Sequence, residues 1–66
     1  MNATQQMAAF RPQMLSYAAR QLGDDELAED VVQDAFVAAF DRADAFRGEA
    51  ALKTWVFAIL KNKIAD

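Results

Sequence analysis

The sequence predicts an all-α domain, small and built from three to four helices. Three observations carry that reading. The 66 residues contain only two glycines and one proline, so little interrupts the backbone. Alanine is abundant and β-branched residues are thinly spread, which favours helix over strand. Apolar residues recur at spacings of three and four, the period of one helix face.

Pro12, Gly23 and Gly48 are the punctuation points. A short helical segment is expected from Thr4 to Phe10, followed by a helix from Pro12 to Leu22. Proline suits a first turn, where its missing N–H would have no partner in any case. Met14, Leu15, Ala18, Ala19 and Leu22 form the apolar stripe of this helix, and Gly23 closes it as a left-handed cap. Asp24 or Asp25 caps the next helix, which runs to about Arg42 or Ala43. At 100° steps Ala28, Val31, Val32, Ala35, Ala38 and Ala39 share a broad apolar arc. Glu26, Asp30, Gln33, Asp34 and Asp41 lie opposite, with Val37 in their midst and Phe40 at the edge. An acidic face centred on a valine is the pattern of a docking surface for a basic partner. It is equally that of a solvated face with a stray apolar residue.

Residues 43–48 lack helical period and read as a loop, with Phe46 as an apolar plug. The pattern returns at Glu49 or Ala50 and continues to about residue 65, with Leu52, Trp55, Val56, Ile59, Leu60 and Ile64 in one stripe. The expected core is Leu15, Leu22, Val31, Val32, Ala35, Phe46, Val56 and Ile59. Trp55 and Asn62, seven apart, share one rim of the last helix, with Ala58 and Lys61 nearby on its outer face. Tryptophan at helical spacing usually belongs to a core. Beside an asparagine and lysines it also suits a surface that stacks and hydrogen-bonds bases.

Composition narrows the chemistry. With no cysteine and no histidine, disulfides, thiolate nucleophiles and the commonest general base and metal ligand are excluded. A non-catalytic binding module is expected, with no catalytic residue, no metal, no cofactor and no small-molecule substrate. No apolar run approaches the roughly 20 residues that span a bilayer, and Met1 to Phe10 lacks the features of a secretory signal. A soluble, cytoplasmic protein without a membrane partner is the expectation. The net charge of −3 conceals a division: Asp24 to Asp34 carries six acids and no base, whereas Arg47, Lys53, Lys61 and Lys63 outnumber Glu49 and Asp66 in the last third. Binding follows the local field and not the sum.

At this level of detail the sequence resembles a known family, the extracytoplasmic-function sigma factors of bacterial RNA polymerase, at their region 2 domain. Arg11-Pro12 and Tyr17 through Asp24 look like the family's first long helix and glycine turn. Ala28-Glu29-Asp30-Val31-Val32-Gln33-Asp34-Ala35-Phe36 looks like its polymerase-binding helix. Phe46 to Ala50 and Leu52 to Phe57 look like its promoter-reading loop and helix, and Lys61-Asn62 with Ile64-Ala65-Asp66 like that helix's end. Each string alone is weak; four in order, at family spacing, are specific.

The resemblance implies an all-α region 2 fold over residues 1–66 and a promoter-specificity role. It implies docking on the clamp coiled coil of the largest subunit of RNA polymerase core through Glu29, Asp30, Gln33, Asp34, Val37, Phe40 and Asp41. It also implies recognition and melting of the −10 promoter element as non-template single strand. Arg47, Gly48, Glu49 and Ala50 would accommodate a flipped base, which costs a few kcal/mol to extract from the stack. Trp55 and Asn62 would contact bases, and Lys53, Lys61 and Lys63 the adjacent backbone. An anti-sigma factor is a further implied partner. Ala58 and Leu60 depart from the pattern of many relatives, an arginine and a small residue, which implies weak binding of DNA by the domain alone. A complete member continues into a second helical domain for the −35 element; nothing here corresponds to it, so the expectation is one domain of a longer protein. Two other classes compete: a helical protein–protein interaction domain without a DNA role, and a dimeric helix-turn-helix binder. The loop between the second and third long helices is too long for the latter.

Overall fold

The structure, a computed structural model, describes residues 3–42 and 52–65. Four helices follow one another: α1 (Ala3–Ala9), α2 (Arg11–Leu22), α3 (Asp25–Asp41) and α4 (Leu52–Ala65). Among the described residues there is no strand, as the apolar period predicts.

Local chemistry sets the boundaries. Phe10 separates α1 from α2 while keeping helical angles, and its N–H donates to the Met7 carbonyl at 3.0 Å. Pro12 lies in the first turn of α2, where it costs no hydrogen bond. Gly23 ends α2 at φ 67°, ψ 25°, with its N–H donating to the Ala19 carbonyl at 2.8 Å. That left-handed geometry strains any residue bearing a Cβ. One residue on, extended Asp24 caps α3: its carboxylate accepts from the Leu27 N–H at 3.0 Å. Asp25 and Glu26 then meet the positive end of the α3 dipole. Two adjacent residues therefore stop one helix and start the next, so the α2–α3 hairpin closes tightly.

α3 packs most extensively, against both α2 and α4, which also meet each other, and α1 lies against α4 and α2. The residues buried on α3 are Ala28, Val32, Ala35 and Ala39, a stripe at spacings of four and three. Three of the four are alanine, so the neighbouring backbones approach closely and their own side chains fill the space. Met14 and Ala18 come from α2, Met7 from α1, and Leu52, Val56, Ile59 and Leu60 from α4.

The observed core differs from the expected one in which residues lie at its centre. Val32, Ala35, Val56 and Ile59 are buried as expected. Leu15, Leu22 and Val31 are only half-buried, packed on the margin. The reason is rotational: α2 turns its Met14–Ala18 line inward, which moves Leu15 to one flank and Tyr17 to the other. On α3 the alanine line faces in and Val31 sits about 60° off it. Phe46 lies outside the described residues, as does the loop that contains it.

Three substitutions at two positions test this account by chemical denaturation. Leu60→Ala removes a side chain with no exposure and should cost about 2–5 kcal/mol, a large share of the roughly 3–10 kcal/mol available to so small a domain. Gly23→Ala should cost about 1 kcal/mol through backbone strain alone, because a Cβ at Gly23 meets nothing within 4 Å. Gly23→Asn should recover part of that loss, since asparagine tolerates the left-handed region.

Candidate functional site

Burying the alanine line of α3 leaves the opposite arc to solvent. Glu26, Glu29, Asp30, Gln33, Asp34 and Asp41 are all exposed. Among them Val37 is 53% and Phe40 46% exposed, high for large apolar side chains in so small a domain. Phe40 is not isolated: its ring stacks on Phe36 one turn earlier, with centroids 5.9 Å apart and planes 20° off parallel. Phe36 is half-buried against the core, so the pair forms a rigid apolar ledge that runs from the core to the acidic surface. The sequence pattern marked Phe40 and missed its support. The spacing of four was the available signal.

At the edge of this arc Glu29 reaches α2, where its Oε2 accepts from the Arg11 guanidinium at 2.7 Å. Both side chains are about half exposed, so the ion pair contributes at most about 1 kcal/mol. Its effect here is to engage Glu29 within the domain, leaving Asp30, Gln33, Asp34 and Asp41 around Val37.

The residues expected to meet DNA divide into three groups. Arg47, Gly48, Glu49 and Ala50 lie outside the described residues. Trp55 and Asn62 share one flank of α4, about 20° apart in projection; Trp55 is half-buried against the core and Asn62 exposed. Lys53 and Lys61 belong to the other flank. Lys53 Nζ lies 5.9 Å from the centroid of Phe57, and Lys61 Nζ 5.8 Å from that of Tyr17 on α2. Tyr17 meets Phe57 edge to face at 6.1 Å, with an interplanar angle of 71°. Lysines at positions 53 and 61 with an aromatic midway repeat every four residues, which brings them to one flank. Their partnership with Tyr17 has no sequence signature.

Lys63 has different company. Half-buried near the end of α4, it lines a groove with Asp34, Val37, Ala38, Asp41 and Arg42. The fold thus brings one residue expected at DNA beside three expected at the polymerase.

One regularity spans the molecule. Every acidic residue among those described falls between Asp24 and Asp41, on α3 and its cap. α2 and α4 carry Arg11, Arg20, Lys53, Lys61 and Lys63 and no acid at all. Among the described residues the acids and, Arg42 apart, the bases therefore lie on different helices.

These features define an all-helical domain with an acidic, apolar-centred arc on α3 and a cationic, aromatic flank on α4. Comparison with known proteins identifies its kind: residues 7–66 match the model of the Sigma-70 region 2 family, and the chain belongs to that family. A probable RNA polymerase sigma factor of Haemophilus influenzae is 49% identical over 61 residues, covering 92% of this chain and 31% of that protein. RNA polymerase sigma factor CnrH of Cupriavidus metallidurans is 40% identical over 62 residues, covering 92% of this chain and 32% of that protein. The chain therefore spans about a third of the length of the curated relatives it matches. No solved structure gave a significant match.

Because Val37 projects from the fold, its replacement should leave stability almost unchanged. Val37→Ser is expected to change the unfolding free energy by less than about 0.5 kcal/mol, whereas Ala35→Ser, at a fully buried position, should cost about 1–3 kcal/mol. Thermal melts followed by circular dichroism measure both.

Proposed function

We propose that the chain acts as the region 2 domain of an extracytoplasmic-function sigma factor, docking on polymerase core through α3 and opening and reading the −10 element through the 47–50 segment and α4. The observation that carries this reading is the segregation of charge: an acidic helix with an exposed apolar centre, set apart from two helices without an acid. A protein that must hold a basic protein surface and a polyanion together needs those two faces kept apart.

On this reading the polymerase partner is the clamp coiled coil of the largest subunit, a basic helical surface. Asp30, Asp34 and Asp41 meet its cations, Gln33 supplies a hydrogen bond, and Val37 with the Phe36–Phe40 ledge fills the apolar seam. Glu29 contributes from the edge while held by Arg11. The DNA partner is the non-template strand. Arg47, Gly48, Glu49 and Ala50 accommodate an extruded base, Trp55 and Asn62 meet base faces and edges, and Lys53, Lys61 and Lys63 hold the backbone. Stacking on an aromatic contributes about 1–3 kcal/mol per base, enough to offset much of the unstacking cost. The role is non-catalytic and cytoplasmic, where polymerase works. None of the described helices is long and apolar enough to cross a membrane. Exposed Val37 and Phe40 are also the residues an anti-sigma factor would cover to silence the protein.

Two experiments test this. Reversing charge at Asp30 and Asp34 together should weaken binding to polymerase core and reduce its dependence on salt; binding that ignores the double change refutes the face assignment. In transcription from a promoter library, Asn62→Ala should cost about 1–3 kcal/mol and relax preference at one position. Lys61→Ala should weaken all sequences alike, because phosphates carry no sequence. Identical base preference in the two variants would remove α4 from base reading. Core binding with no effect of either on transcription would favour a protein-interaction domain without a DNA role.

A further inference from the structure

The cationic flank of α4 does not end at α4. Lys53, Phe57 and Lys61 succeed one another at intervals of four, and Lys61 lies over Tyr17, which belongs to α2. Tyr17 in turn borders a groove of about 340 Å³ on the outer face of α2, lined also by Pro12, Gln13, Ser16 and Arg20. Every polar group of this strip, from Lys53 across to Arg20, is either a cation or a neutral donor. No acid occurs on either helix; of the acids on α3, Glu29 reaches α2 at Arg11, and Asp34 and Asp41 lie beside Lys63. Arg11, the other cation of α2, is engaged by Glu29, whereas Arg20 is exposed in the last turn of its helix.

The aromatic pair gives the strip its rigidity. Tyr17 and Phe57 are half-buried and locked edge to face across the α2–α4 seam. A lysine held over an aromatic ring keeps its charge while losing part of its conformational freedom. Lys53 and Lys61 are thereby set about 12 Å apart along the helix, far enough for each to meet a different phosphate of one strand. Arg20 continues the line on α2, where Gln13, Ser16 and the Tyr17 hydroxyl supply neutral hydrogen-bonding groups beside it.

We infer that α2 is part of the DNA-binding surface: the sugar–phosphate backbone crosses the α2–α4 seam, with Arg20 contacting a phosphate and Tyr17 positioning Lys61 for another. This rests on the promoter-binding role proposed above and adds to it two residues, Arg20 and Tyr17, on a helix to which that role assigned none. Charge complementarity selects the ligand, since an unbroken run of cations and neutral donors fits a polyanion and offers nothing to a basic protein surface.

The test measures promoter affinity of the chain assembled with core RNA polymerase, across a series of salt concentrations. Arg20→Ala should reduce the slope of log affinity against log salt by about one unit and weaken all promoter sequences alike. Arg20→Lys should restore most of the slope. Tyr17→Leu should reproduce the Lys61→Ala phenotype and add little to it in the double variant, whereas Tyr17→Phe should keep the ring and behave nearly as the unaltered chain. Core binding should be unchanged in every case, and melting curves confirm that each variant is folded. Slopes that match the unaltered chain for Arg20→Ala would overturn the inference while leaving the promoter role intact. Loss of core affinity with DNA affinity retained would overturn it too, by making the strip a protein contact. Failure of the unaltered assembly to bind promoter DNA would overturn both readings.

Discussion

The packing of α3 through its line of small residues is the constraint on which the rest of the domain depends. Ala28, Val32, Ala35 and Ala39 bring both α2 and α4 close to α3, and close approach fixes how each of the three helices is rotated about its axis. With α3 so placed, its acids and Val37 face solvent as a unit. With α2 so placed, Tyr17 is brought to the α4 seam. A larger residue in the line would push the layers apart and turn these faces together. These exposed surfaces are thus set by side chains that never reach solvent.

The sequence made the helices legible because their ends are written in local chemistry. Gly23, Asp24 and Pro12 each act within one turn of backbone, and each acts in the structure as its chemistry requires. The centre of the core was less legible. On α2 both Met14–Ala18 and Leu15–Leu22 are plausible inward lines, and hydrophobicity alone favours the leucines. Packing favoured the line with the smaller residue, because α3 approaches there. Periodicity reports that a helix has an apolar side to within tens of degrees. The partner helix decides the remainder.

The candidate site divides in the same way. The acidic arc with Val37 and Phe40 is contained within one helix, so a helical projection was enough to find it, and the family comparison gives it a context. Trp55 and Asn62 could be paired for the same reason. The grouping of Tyr17 with Lys61, and of Lys63 with Asp34 and Asp41, joins residues on different helices. No projection of one segment holds that information. Lys63 shows the consequence: one more lysine in a basic stretch when read along the chain, it lies in a groove flanked by carboxylates once α4 packs on α3.

The separation of acids and bases onto different helices has a consequence that precedes any contact. The described domain measures 33 × 22 × 17 Å, while charges in physiological salt are screened over about 8 Å. A distant observer would register only a weak anion. At a few ångströms from its surface, the acidic arc of α3 and the Lys53–Lys61 flank of α4 each present their own sign, so the charge distribution is polar as well as negative. In the field of a polyanion such a body experiences a torque that turns α3 outward and brings α2 and α4 to face it. Near a basic surface the torque reverses. Orientation is then partly resolved during approach, which shortens the rotational search that otherwise limits association.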